Sequence, residues 1–184
     1  MTIGFKEWAV VCDALGDGRQ TVILRKGGIA EGREGFRFRH GQFFLMPTGF
    51  HEQIGRTRLP ADTPLPALPA GTHRIGLSVR VEWTAFVDRI ETALALEPFH
   101  ILSEATVRER FDYDDLKGVH VALVRVARLV PAWEFPDAPR YGGCRSWVDL
   151  PDPPADLRSA PVLDDPTFEA AAARLRALLD APAA

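Results

Sequence analysis

Apolar and polar positions alternate most regularly in "HRIGLSVRVEW". There Ile75, Leu77, Val79, Val81 and Trp83 interleave with Arg74, Gly76, Ser78, Arg80 and Glu82. A period of two predicts a strand with one buried face and one wet face. "GVHVALVRVARLV" is apolar at both parities through its middle, which predicts a central strand covered on both sides. "EWAVVCDALGDGRQTVILRKGG" predicts two strands, Trp8 to Ala14 and Gln20 to Arg25, joined by a turn at Gly16-Asp17-Gly18. A second hairpin follows. Phe36, Phe38 and His40 share one face and Arg37 and Arg39 the other, and Gly41 and Gln42 turn the chain into "FFLMPT".

Helical signals are fewer. "SEATVRERF" has Ser103 as a cap and Glu104 at the positive end of the dipole. "VDRIETALAL" fits a strand or a short helix. "DDPTFEAAAARLRALLDAP" predicts a closing helix with Asp165 as N-cap and Pro166 at N1. Its stripe of Phe168, Ala172, Leu175 and Leu179 should dock on the sheet. Pro60, Pro64, Pro66 and Pro69 mark an extended surface loop or linker. A second irregular region runs from Pro131 to Leu163, with "SWVDL" as a short strand inside it. No internal repeat is visible. The expected fold is a single α+β domain: a mainly antiparallel, curved sheet or partial barrel covered by the C-terminal helix. A subdomain boundary at Leu59 to Ala70 is the alternative.

Composition narrows the classes. A chain of 184 residues with 46% apolar residues can bury one sizeable core. A net charge of −3 and a pI near 6.0 argue against a strongly basic nucleic-acid binder, while leaving room for a local basic patch. Cys12 and Cys144 are isolated, so no zinc-finger spacing or disulfide framework is expected. No signal-peptide pattern and no run near ~20 apolar residues is present. These features predict a cytoplasmic protein with no membrane partner. No cofactor is expected.

The candidate chemistry centres on Leu24 to His51. Lys26-Gly27-Gly28 lacks the spacing of a P-loop or a dinucleotide fingerprint. The glycines either turn the chain at a strand end, or bare backbone N–H groups as an anion nest with Arg25 and Lys26 supplying charge. "EGREGFRF" lacks the glutamate-rich helix of a Nudix hydrolase. His40, Thr48 and His51 surround the next apolar run, and Glu52 could join the histidines at a metal or in proton transfer. Asp115-x-Lys117 echoes a nuclease metal motif but lies in a turn, where a solvated loop is the simpler reading. In "RYGGCRSWVDLP", Arg145 beside a Gly-Gly turn offers a second anion contact, and Trp147 an anchor to the core.

Several blocks in order, "KEWAV", "LRKGGI", "FRFRHGQFFLMPTGFH", "HILSEATVRERF", "GVHVALVRV" and "GGCRSWVDLP", resemble the bacterial domain of unknown function 1802 from about Phe5 to Leu150. That resemblance implies no activity. The family's association with restriction-type endonuclease domains implies a link to DNA restriction or defence. Three readings stand. The first is a binding module for an anionic ligand, nucleic acid or nucleotide, using Arg25, Lys26, Gly27, Gly28, His40, Thr48, His51 and Arg145. The second is a metal-dependent nuclease or phosphohydrolase with His40, His51 and Glu52 as ligands or bases. The third is a protein-interaction accessory without catalytic activity. The first reading places Lys26, His40 and His51 in one pocket.

Overall fold

The computed structural model describes residues 2–26, 36–49 and 51–180. Along the chain come β1 (Thr2–Trp8), α1 (Ala9–Gly16), β2 (Val22–Arg25), β3 (Gln42–Thr48), β4 (Thr72–Val87), α2 (Ile90–Ala95) and α3 (Glu104–Phe111). They are followed by β5 (Val119–Pro136), β6 (Trp147–Leu150), β7 (Arg158–Pro161) and α4 (Asp165–Leu179). The strands form one curved sheet in the order β2-β5-β4-β3-β1-β6, with β7 pairing on β5. β1 and β3 run parallel, and the other pairs are antiparallel. Strands on both sides of the Pro-rich loop therefore belong to one sheet. This is the single α+β domain the patterning predicts.

The sheet carries a core on each face. Phe43 and Leu45 belong to the larger cluster, while Met46 belongs to the smaller and Phe44 packs against it. Successive strand residues point to opposite faces, so β3 feeds both. The larger cluster joins α1, α4 and the middle of β5, where Val121, Ala122, Leu123 and Val124 are all buried. Burial on both faces is what the unbroken apolar run in β5 predicts. In β4, Ile75, Leu77 and Val79 are buried, and Val81 and Trp83 pack against the larger cluster. Arg80 and Glu82 are exposed. The register with β5 slips between Ile75 and Leu77, where β5 has extra residues from Arg128 to Trp133, Pro131 among them. The slip is accompanied by a change of partners. Ile75 packs with Trp133 and Phe135 in the smaller cluster, and Leu77 and Val79 pack in the larger.

Two sequence expectations need correction. Trp8 to Ala14 is not a strand: β1 ends at Trp8 and α1 begins at Ala9. Every residue of α1 except Asp13 is buried. A helix buried all round shows no polar stripe, so its sequence looks like a covered strand. The stretch from Phe36 to His40 forms no regular strand, although its burial still alternates, with Phe36 buried and Arg37 and Arg39 exposed. Helix starts are more legible. Ser103 Oγ accepts from Thr106 N at 3.3 Å, capping α3. Asp164, one residue earlier than expected, caps α4 through Oδ1 from Thr167 N at 2.9 Å. Phe168, Ala172 and Leu175 then bury the expected stripe. The ambiguous segment before α3 resolves as the short helix α2. Among the described residues no helix is long and apolar enough to cross a membrane.

Candidate anion-binding pocket

Four cations meet at one small cavity. Arg25 and Lys26 arrive at the end of β2, Arg56 from a short 3-10 turn, and Arg110 from α3. The cavity holds about 270 Å³, and Trp8, Thr106, Glu109, Tyr113, Cys144 and Ser146 complete its lining. The contribution of α3 follows from helix geometry. Thr106, Glu109 and Arg110 are spaced i, i+3 and i+4, so they share a face, while Val107 and Phe111 bury the other against the core.

Each cation is held. Arg110 places its guanidinium 4.8 Å from the centre of the Trp8 ring and donates to Leu24 O. Burial pushes its pKa down to about 10, with Arg25 and Arg56 acting in the same direction and Glu7 and Glu109 against it. Arg25 Nη2 donates to Ser146 Oγ at 3.0 Å and to Lys6 O at 3.3 Å, and its Nη1 lies 3.6 Å from the buried Glu7 carboxylate. Arg25 Nε is buried and has no hydrogen-bond partner among the described residues. Lys26 pairs with Asp114 at 2.9 Å and donates to Leu116 O. Arg56 pairs closely with Glu109. Four cations thus face three carboxylates, and two of those, Glu109 and Asp114, are at least half exposed at 60% and 50%.

The wall at Cys144 and Ser146 is a loop fixed from its far side. Lys6 Nζ donates to Gly142 O at 3.1 Å and Gly143 O at 3.0 Å. Lys6 N donates to Ser146 O at 2.8 Å. Gly143 has φ +78°, a conformation that glycine adopts without strain. Burial, with Arg145 in support, holds the Lys6 pKa below its usual value. Trp147 then anchors the start of β6 through rings of Phe5 at 4.7 Å and Phe43 at 5.2 Å.

Of the residues singled out in the sequence, Arg25 and Lys26 line this cavity. Arg145 is exposed on the adjoining loop. Gly27 and Gly28 lie outside the described residues. Thr48 does not line the cavity, and its Oγ1 donates to the Glu7 carbonyl at 3.0 Å. His40 packs edge-on to Trp147 at 4.9 Å. His51 is 86% exposed and lies 3.6 Å from Glu52. The expected shared pocket of Lys26, His40 and His51 is therefore corrected: the cavity that holds Lys26 is lined by neither histidine. That expectation sets the end of β2 beside the end of a Phe36–His40 strand, directly or through a shared neighbour, but Phe36–His40 forms no strand and β5 and β4 separate β2 from β3. No group of three His, Cys, Asp or Glu among the described residues could hold a metal ion. Sequence reading misses Trp8, Arg56, Arg110 and Tyr113. The available signal was Arg110 in "RERF", whose spacing from Thr106 puts both on one helical face.

Other cavities among the described residues compete less well, one of about 500 Å³ having Arg74 and Arg128 as its cations. Another, about 570 Å³, includes Arg125, but Glu82, Asp165 and Glu169 already surround that guanidinium at 3.3, 2.5 and 2.5 Å. A smaller one, about 230 Å³, is edged by His73 and Asp137, whose 2.6 Å contact ties the start of β4 to the residue after β5.

Among solved structures, the chain is similar to the ASCH protein of Zymomonas mobilis. A Ser-to-Ala mutant of that protein aligns at 14% identity with a TM-score of 0.46, covering 94% of this chain and 95% of the other. The ASCH structure without that substitution aligns at 13% identity and a TM-score of 0.43, covering 94% of each chain. No curated protein matches the sequence. One family model, described as Domain of unknown function (DUF1802), matches residues 4–174, from Gly4 in β1 to Arg174 in α4, and the chain belongs to that family.

Proposed function

We propose that this protein binds a phosphate-bearing ligand, a nucleotide or nucleic acid, in the pocket between β2, α3 and the loop before β6. The convergence of Arg25, Lys26, Arg56 and Arg110 on one recessed cavity carries this reading. The orphan Arg25 Nε supports it, because a buried donor without a partner costs about 1–3 kcal/mol unless something accepts from it. Arginine forks match phosphate oxygens in pairs, and Thr106 and Ser146 add hydroxyls at the same wall. The overall charge of −3 does not oppose this reading, since the field that matters is local.

The test is calorimetric titration of the full chain with inorganic phosphate, mononucleotides and oligonucleotides, paired with thermal shift. A hundredfold excess over the dissociation constant should stabilise the fold by ~2.7 kcal/mol. Arg25→Ala should abolish most of that gain. If no phosphate-bearing ligand shifts the melting temperature, the pocket is a structural ion-pair cluster and the proposal fails.

A further inference from the structure

Resting on that reading, we infer that the ligand is a single strand, with one nucleotide seated in the pocket and its neighbours bound along the rim. Three observations separate this from a duplex or a free nucleotide. The first is depth. Lys26 is 4% exposed and Arg25 19%, so a phosphate must leave a helical backbone to reach them. A cavity of about 270 Å³ admits a unit the size of one nucleotide, just below the ~300 Å³ where small-molecule sites begin.

The second is that positive charge continues past the pocket. Arg37 is exposed, and its charge and that of Lys26 both act on His120, which is paired across the sheet with Arg25. On the other side Arg145 is exposed, directly between Cys144 and Ser146 of the pocket wall. A mononucleotide would leave both arginines unused, whereas adjacent phosphates of a strand would meet them. The third is exposed aromatic surface at the mouth. Tyr113 is 52% exposed and Phe86 36%. Phe86 lies 5.5 Å from Lys26 Nζ and 4.9 Å from the His120 ring. Unstacked bases pack on such rings, and paired bases have no free face to offer.

The experiment is fluorescence anisotropy on the full chain with eight-nucleotide single strands of DNA and of RNA. The duplex of the same sequence, a mononucleotide and inorganic phosphate complete the series, each at several salt concentrations. Single strands of at least one sugar type should bind at least tenfold tighter than the duplex and the mononucleotide. Tyr113→Ala should weaken the single strand roughly tenfold. Arg37→Ala with Arg145→Ala should flatten its salt dependence. Duplex binding equal to single-strand binding, or mononucleotide binding equal to both, would overturn this inference while leaving the anion pocket standing. Loss of every phosphate-bearing ligand, inorganic phosphate included, would remove the pocket reading itself.

Discussion

The guanidinium of Arg110 covers the Trp8 ring at 4.8 Å, joining the end of β1 to the last turn of α3. This stacking fixes where the Arg110 charge points into the pocket. Arg110→Met keeps much of the bulk over the ring and removes the charge. It should weaken phosphate binding by about 1.5–3 kcal/mol, the range for hydrogen bonds to charged groups. Calorimetry on a variant whose denaturant midpoint stays close to wild type checks this. Unchanged affinity would take Arg110 out of the site.

Glu109 holds Arg56 from an exposed position, and Asp114 does the same to Lys26. Both carboxylates occupy donors that an incoming anion needs. Glu109→Gln and Asp114→Asn should therefore tighten phosphate binding several-fold at low salt, with the gain shrinking as ionic strength rises. Weaker binding in Glu109→Gln would show instead that the carboxylate positions Arg56.

His100 is buried, and its Nδ1 accepts from Leu102 N at 3.1 Å. Burial lowers its pKa to about 3, with Arg58 and Arg110 acting the same way. The unfolded chain takes up this proton near pH 6.5, whereas the folded chain takes it up only near pH 3. Stability from this residue is full above pH 6.5 and is lost progressively as pH falls toward 3, by a few kcal/mol. His100→Asn keeps an acceptor for Leu102 N and cannot titrate. Urea midpoints from pH 7 to pH 4 should fall less steeply for that variant, and parallel curves would refute the assignment.

Leu175 is fully buried in the stripe that seats α4 on the core. Leu175→Ala should cost about 2–5 kcal/mol. A change under about 0.5 kcal/mol in denaturant melts would mean that α4 is only loosely attached.

The sheet was legible wherever burial differs between faces or covers both. β4 shows it by alternation and β5 by an unbroken apolar run. The cap of α3 was legible, and that of α4 to within one residue, because a side-chain oxygen before a helix has a specific donor to satisfy. α1 was not, because a helix with seven of eight residues buried has no polar face to reveal its period. The pocket was half legible. Arg25 and Lys26 stand out at a strand end, but their partners Arg56 and Arg110 come from turns and helices whose approach is set by tertiary packing. Tertiary packing decided the rest: β4 and β5 separate β2 from β3, beyond which His51 is exposed, and His40 packs on Trp147 without lining the cavity.

The bond between Arg25 and Ser146 spans 121 residues of sequence, and the wall it fixes depends on β6 closing against β1. A chain emerging from the ribosome therefore has the cations of β2 and α3 long before it has a pocket. Truncations that end ahead of Gly142 would keep every arginine and lysine of the cavity and still lack the wall of Cys144 and Ser146. Recognition is in this sense a property of topological closure: non-local pairing of this kind forms slowly, and binding competence would mature with it, making ligand affinity a reporter of β6 closing on β1.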